Sequence, residues 1–239
     1  MTTNGIHSLL RASVAVWLML IMAAVMTPPV LAIDKAKTVE RMNDSTEVLQ
    51  EIMNIPEEGI PEWLLEKCEA LVIIPGVIKA ALGFGGRRGH GIMIHRLDNG
   101  KWSSPSFVTI TGGSFGLQIG GSSTDLVLVV NNERGYRALL GNKVKLGADA
   151  SVAAGPVGRH AEAGTDIQLK AEIFAYARSK GAFAGISLDG SALTNDSEAN
   201  TAFYGKMVDY KQVLNNPTWP FPQEAKALID LLHKYEGRN

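Results

Sequence analysis

The sequence predicts an α+β fold: a strongly curved, mainly antiparallel, Gly/Ala-rich sheet or partial barrel packed with N-terminal, middle and C-terminal helices. Three observations carry this expectation. In the stretch 111–131, Phe115, Leu117 and Ile119 alternate with Ser114, Gly116, Gln118 and Gly120, the period of a strand with one apolar face. The same alternation returns over 144–155 and 167–178, where the dry positions are mostly Ala and small aliphatics, so a thin, curved interior is expected. Helical spacing takes over near both ends, with Val39, Met42, Leu49, Ile52 and Met53 in one segment and Ala225, Leu228, Ile229, Leu232 and Tyr235 in the other.

Taken in order, the first 32 of the 239 residues form a separate object. His7 and Arg11 precede an apolar run from Ala12 to Met26 that Pro28 and Pro29 break. At about 15 residues the run falls short of the roughly 20 that span a bilayer. Val30-Leu31-Ala32 then supplies the small-residue pattern of a signal-peptidase site, so 1–32 reads as a cleaved secretory signal rather than an anchor. The remainder divides into amphipathic helices at 33–67, a core at 68–205 and a C-terminal helical segment of the same domain at 206–239. Arg11 is the only charged residue before Asp34, so the chain is close to neutral with or without the leader; this excludes the strong basic excess of a nucleic-acid binder. With one cysteine, Cys68, no internal disulfide forms and the core must hold by packing alone.

Pro56 ends the first helix, and Pro61-Glu62 opens a short second one carrying Trp63, Leu64 and Leu65. Both helices are expected to cover the sheet, the alternative being a membrane-surface role. Residues 70–74 form a buried strand stopped by Pro75-Gly76. Asp98-Asn99-Gly100 favours a tight two-residue hairpin between strands at 92–96 and 102–110. The breaker run 120–124 is expected to turn the stretch 111–131 into a central hairpin whose second strand, 125–130, is covered on both faces. Asn131 or Asn132 caps a middle helix, and Asn195 or Asp196 caps another running to Tyr204.

The search for chemistry yields little catalysis. Gly112-Gly113-Ser114-Phe115-Gly116 fits the nucleophile-elbow pattern G-x-S-x-G, with His160 following, but the glycines and the period-two alternation after Ser114 oppose the helix that an elbow requires. His90 and His95, five apart on a strand, point to opposite faces and do not share a metal; no metal site or cofactor is expected. Asp125, Asp149, Asp166 and Asp189, beside small residues at strand ends, suit backbone-accepting turn roles. Between Ile78 and Gly91, glycine-rich backbone lies beside Lys79, Arg87 and Arg88, the raw material of an anion cradle, although neither nucleotide fingerprint is met.

Three motifs carry a family resemblance: GGSFGLQIGGSSTDLVLVV at 112–130, KLGADASVAAGPVGRHAEAGTD at 145–166 and FAGISLDGSALTNDSEANTAFYG at 183–205. In this order they resemble the SYLF-domain family, which includes yeast and animal actin-patch and phosphoinositide-binding proteins and many secreted bacterial ones. The similarity runs from about Cys68 to Gly205. It implies a lipid-binding, non-enzymatic domain that engages anionic phospholipid head groups, here through Lys79, Arg87, Arg88, Arg96 and Lys101. Export would place the protein in the periplasm or outside the cell, away from cytoplasmic actin, so the cytoskeletal role is not carried over. A scaffolding protein of the envelope, docking a partner through Trp63 or the segment 216–221, is the alternative; a hydrolase acting through Ser114 ranks third.

Intact-mass measurement of the protein from an envelope fraction is expected to find a chain beginning at or next to Ile33. A full-length species resisting carbonate extraction would mark 1–32 as an anchor.

Overall fold

Helix α1 (Lys35–Met53) begins at Asp34, whose carboxylate accepts from the Ala36 amide at 3.4 Å. Its buried stripe is Thr38, Met42, Ser45, Leu49 and Ile52, with Val39 and Met53 at the margin. Thr38 and Ser45 join an otherwise apolar stripe because their hydroxyls donate to the Lys35 and Arg41 carbonyls, both at 2.7 Å, so neither is buried unsatisfied. The computed structural model describes residues 33–55, 59–157, 171–179, 182–183 and 187–236, without the side chains of 81–84, 114–120 and 182–183. Ile33–Asn239 cluster as one unit. The expected leader, His160 and the strand positions before Ala171 lie outside the described residues.

After the short helix α2 (Glu62–Lys67), two very long strands dominate: β1 (Ala70–His95) and β2 (Ser106–Val130), antiparallel over nearly their whole length. The expected central hairpin within 111–131 does not exist. Residues 120–124 remain inside β2, paired in register with Ala81, Ala80, Lys79, Ile78 and Val77. Nor does Pro75-Gly76 end the first strand. A register shift between Ile74 and Val77 absorbs the pair, Gly76 takes φ +54°, and its amide donates to Asp125 Oδ1 at 2.9 Å. Pro75-Gly76 becomes a bulge because the ladder resumes on both sides of it, with Ile74 opposite Leu126 and Val77 opposite Thr124. The turn at 98–100 is also looser than expected: the Gly100 amide closes on the Leu97 carbonyl at 2.7 Å, Leu97 bonds Lys101, and Gly100 has φ +76°. This is a three-residue loop with a left-handed glycine.

The hairpin folds back on itself. The Arg96 amide donates to the Glu69 carbonyl at 2.7 Å, joining the two ends of β1. A Cβ on Gly91 would lie 2.0 Å from the Ile73 carbonyl oxygen and 2.8 Å from Ile74 Cα; one on Gly89 would meet Ile74 and Val77 side chains at 2.7 and 2.9 Å. Only glycine permits this approach. Because the ends of β1 meet, the ribbon between them, residues 77–88 with 112–124, must arch.

Around this ribbon stand α3 (Glu133–Leu139), β3 (Lys143–Lys145), β4 (Val152–Ala154), β5 (Ile173–Ser179), β6 (Ala182–Phe183) and β7 (Ser191–Asn195). The first half of β2 pairs with β7, and β7 with β3; its second half pairs with β5, which adds β6 and, in parallel, β4. What reads as one strand over 144–155 is two, because Gly147 turns at φ +88° and Asp149 accepts from the Lys145 amide at 2.7 Å. Helices α4 (Ser197–Tyr204), α5 (Tyr210–Asn215) and α6 (Lys226–Tyr235), the last after a 3₁₀ turn, complete the described fold. Among the described residues no helix is long and apolar enough to cross a membrane.

The sheet is dry on both faces. Leu71, Ile73, Val127, Val129, Phe174 and Tyr176 pack under α1, α2, α4 and α6, whereas Val72, Ile74, Leu126, Leu128, Ile173 and Ala175 pack with Tyr136, Leu193 and Leu214. Alternation along β5 therefore separates two cores rather than core from solvent. Phe174 and Tyr176 are fully buried in the cluster that the N-terminal and C-terminal helices join. On the first face, buried Asn200 of α4 accepts from the Phe107 amide at 2.9 Å and donates to its carbonyl at 3.1 Å, satisfying strand backbone as a neighbouring strand would.

Gly91→Ala is expected to destabilise the protein by about 3 kcal/mol or more, since backbone must move to admit the methyl group. At Gly113, where a Cβ meets nothing within 4 Å, the same change is expected to stay within about 1 kcal/mol. Urea unfolding of both variants makes the comparison.

Candidate functional site

The arch and α1 enclose a cleft of about 610 Å³. From α1 come Lys37, Glu40, Arg41 and Asp44, spaced three and four apart on one helical flank; from β1 come Pro75, Ile78 and Ala80 on one limb of the arch and Arg87, Arg88 and His90 on the other. Four cationic and two acidic residues thus line the cleft, with Arg87 and Arg88, adjacent on β1, directing their side chains to opposite faces of the strand. Ile78 is 61% exposed, an unusual position for a large aliphatic, and lines the same opening.

A bonded chain fixes one wall. Arg88 Nε donates to His90 Nε2 at 3.2 Å, His90 Nδ1 lies 3.0 Å from Thr109 Oγ1, and Thr109 Oγ1 lies 3.2 Å from Asp196 Oδ2. Arg41 Nη1 donates to the same Asp196 oxygen at 2.9 Å. These contacts suit a His90 tautomer with its proton on Nδ1, donating to the threonine, which in turn donates to Asp196. Asp196 does double duty, because its other oxygen accepts from the Ala199 amide at 3.1 Å and caps α4. Burial alone would raise the Asp196 carboxyl. The hydrogen bonds with His90, the Ala199 amide and Arg41, together with the Arg41 charge, outweigh it and hold the group well below the usual carboxylate range. Asp44 behaves oppositely: burial, then the nearby charges of Glu40 and Glu47, raise it.

The five cations expected to hold an anion separate in space. Arg87 and Arg88 line the cleft, Arg87 with Nη1 donating to the Ser187 carbonyl at 2.5 Å. Lys79, half-buried opposite Ser122, alternates with Ile78 and Ala80 and so takes the other face of the ribbon. Lys101 is exposed on the hairpin loop, next to the Leu97–Gly100 turn. Arg96 is committed internally: it donates to the Leu65 and Cys68 carbonyls at 2.6 and 3.0 Å, pairs with Glu236 at 2.5 Å, and lies 4.2 Å from the centre of the Trp102 ring. Lys37 and Arg41 line the cleft with Arg87 and Arg88. Their signal in the sequence was only the polar flank of α1, which says nothing about what lies across from it. Ser114 falls inside β2 opposite Gly85, so the strand-turn-helix of a nucleophile elbow is absent there.

Residues 111–235 match the family described as "Ysc84: Las17-binding protein actin regulator". Relatives extend the match: the human SH3 domain-containing YSC84-like protein 1 is 35% identical over 215 residues, 88% of this chain and 62% of the relative. Protein YSC84 of Saccharomyces cerevisiae is 37% identical over 179 residues, 74% of this chain and 38% of the relative. The chain belongs to the Ysc84 (SYLF-domain) family. It spans about three-fifths of the human relative and less of the yeast one. The family match begins at Thr111, so α1 and β1, which supply most of the cleft, lie ahead of it, although the match to the human protein covers 88% of the chain.

Asp196→Asn is expected to lower stability at neutral pH by about 1–3 kcal/mol, through the weakened helix cap and the unpaired Arg41. Because the folded-state value of Asp196 is depressed, its stabilisation is complete above the unfolded value near 4 and is lost as pH falls below it. The deficit of the variant is therefore expected to shrink below about pH 4, as chemical unfolding across pH would record.

Proposed function

We propose that this chain is an exported, non-catalytic lipid-binding protein whose arch cleft receives the anionic head group of a phospholipid. The observation that carries the reading is the cleft itself, where Lys37, Arg41, Arg87 and Arg88 surround an opening edged by exposed Ile78. Guanidinium forks suit phosphate oxygens, and an aliphatic side chain beside them suits the glycerol and upper acyl region. Export is supported by the apolar run and small-residue site before Ile33, where the compact unit begins. A periplasmic or secreted location, peripheral to a membrane, follows from it.

Magnitudes make the binding weak. Each Lys or Arg near an anionic surface contributes about 1 kcal/mol, so four cations supply at most roughly 4 kcal/mol, from which Glu40, Asp44 and the pairing of Arg41 with Asp196 subtract. Inserting Ile78 adds about 2 kcal/mol. The total corresponds to a dissociation constant from about millimolar to high micromolar. A second reading, docking of an envelope protein, is favoured by Met207 and Phe221, which are 89% and 44% exposed. The actin role in the family description is not extended to an exported chain.

The test is co-sedimentation of Ile33–Asn239 with vesicles of anionic or zwitterionic phospholipid. Binding is expected only to anionic vesicles, weakening between low and high salt. Arg87→Ala/Arg88→Ala is expected to reduce it at least tenfold, and Ile78→Ser to reduce the part that survives high salt. Unchanged binding by the double arginine variant would reject the cleft, and absence of binding to every mixture would favour the protein-docking reading.

A further inference from the structure

At the opposite end of β1 from the arch, three metal-ligating side chains converge. Glu69 precedes the strand, His95 closes it, and Glu133 opens α3; one ligand atom from each lies within 4.8 Å of the others. They are 26 and 38 residues apart in the chain, and two backbone contacts bring them together. The Arg96 amide bonds the Glu69 carbonyl, returning the hairpin end to its base, and the Ala70–Val130 pair delivers the start of α3 to the same place.

His95 is prepared as a ligand. It is 8% exposed, its ring stacks on Tyr136 with centroids 3.7 Å apart and planes 7° from parallel, and its Nδ1 lies 3.0 Å from the Leu214 carbonyl. A carbonyl only accepts, so Nδ1 carries the proton and Nε2 keeps its lone pair. Among the described residues Nε2 has no hydrogen-bond partner, and the imidazole lines a cleft of about 500 Å³ shared with both glutamates. A metal-bound histidine has this arrangement, its second nitrogen fixed by a backbone carbonyl. Tyr136 is held in turn, its hydroxyl 2.7 Å from Asn215 Oδ1. Arg137 competes for Glu133 at 2.6 Å but is 75% exposed, an ion pair of the weak kind that a metal displaces.

We infer that Glu69, His95 and Glu133 form a binding site for a divalent first-row transition ion of the Zn²⁺ class, with solvent completing its coordination. Bonds of about 2.0–2.2 Å hold ligand atoms no more than roughly 4.3 Å apart, so small side-chain rotations close the triad on an ion. The imidazole selects against Mg²⁺ and Ca²⁺, which prefer all-oxygen shells. The site is independent of the arch cleft.

Zn²⁺ titration of the chelator-stripped full chain against a competing fluorescent chelator tests the inference. Equimolar binding is expected, undisturbed by millimolar Mg²⁺ or Ca²⁺. Glu133→Gln, at an exposed position, is expected to weaken it at least tenfold, and Glu69→Gln likewise. A nitrogen-15 shift of His95 Nε2 on adding one equivalent of Zn²⁺ identifies the ligand directly. No equimolar binding, or unchanged affinity in Glu133→Gln, overturns the assignment.

Discussion

Everything in this fold follows from the contact between Gly91 and the backbone of Ile73 and Ile74. A hairpin of two strands, each about 25 residues long, would ordinarily be an extended ribbon with long unprotected edges. Folding its turn end onto its base shortens the ribbon, allows one strand pair to serve two regions of a curved sheet, and leaves both faces of that sheet to be covered. The approach is too close for any side chain, and glycine at 89 and 91 removes the obstruction. Its conformational cost is offset by the packing the fold-back permits, with Ile92 and Ile94 joining the core on one face and Met93 on the other.

The same fold-back generates both clefts. Ribbon that cannot lie flat arches outward, and α1 lies across its mouth, so the limbs of the arch and one helical flank become the walls of a cationic opening. At the other end, the returning hairpin sets His95 beside Glu69. Arg96 fixes that return: it ties the end of α2, the base of the strand and Glu236 after α6 into a buried ion-paired knot with Trp102. A buried pair of this kind adds little net stability, but removing one partner leaves the other charge stranded, so it specifies how the chain ends meet. Asp196 plays the matching part at the arch, capping a helix with one oxygen and ordering the Arg41–Thr109–His90 wall with the other.

Local features were legible where local physics decides them. The caps at Asn132 and Asp196, each one of two adjacent candidates, and the helix after Pro61 stand where their residues place them. Legibility failed at the breakers. Pro75-Gly76 and 120–124 carry turn chemistry, yet continue as strand because a partner strand satisfies their neighbours. It failed also for β7 and α5, both short, since Ser191–Asn195 and Tyr210–Asn215 offer too few residues for a period to emerge. For the cleft, Arg87 and Arg88 stood out by their glycine-rich setting, whereas Lys37 and Arg41 looked like any solvated helical flank.

By itself the sequence determined the class of fold, the family, the ends of the main helices and the near-neutral charge that confines any anion site to a local cluster, because these depend on composition, motif order and spacing along the chain. Only the tertiary structure decided which cations meet, that Arg96 is an internal staple, and that His95 finds two glutamates from distant positions rather than His90 five residues away. The physical reason is that strand alternation fixes which face a side chain takes, but not what stands opposite that face. Here that is set by a backbone contact across 18 residues, between Ile73 and Gly91, that leaves no periodic trace in the sequence.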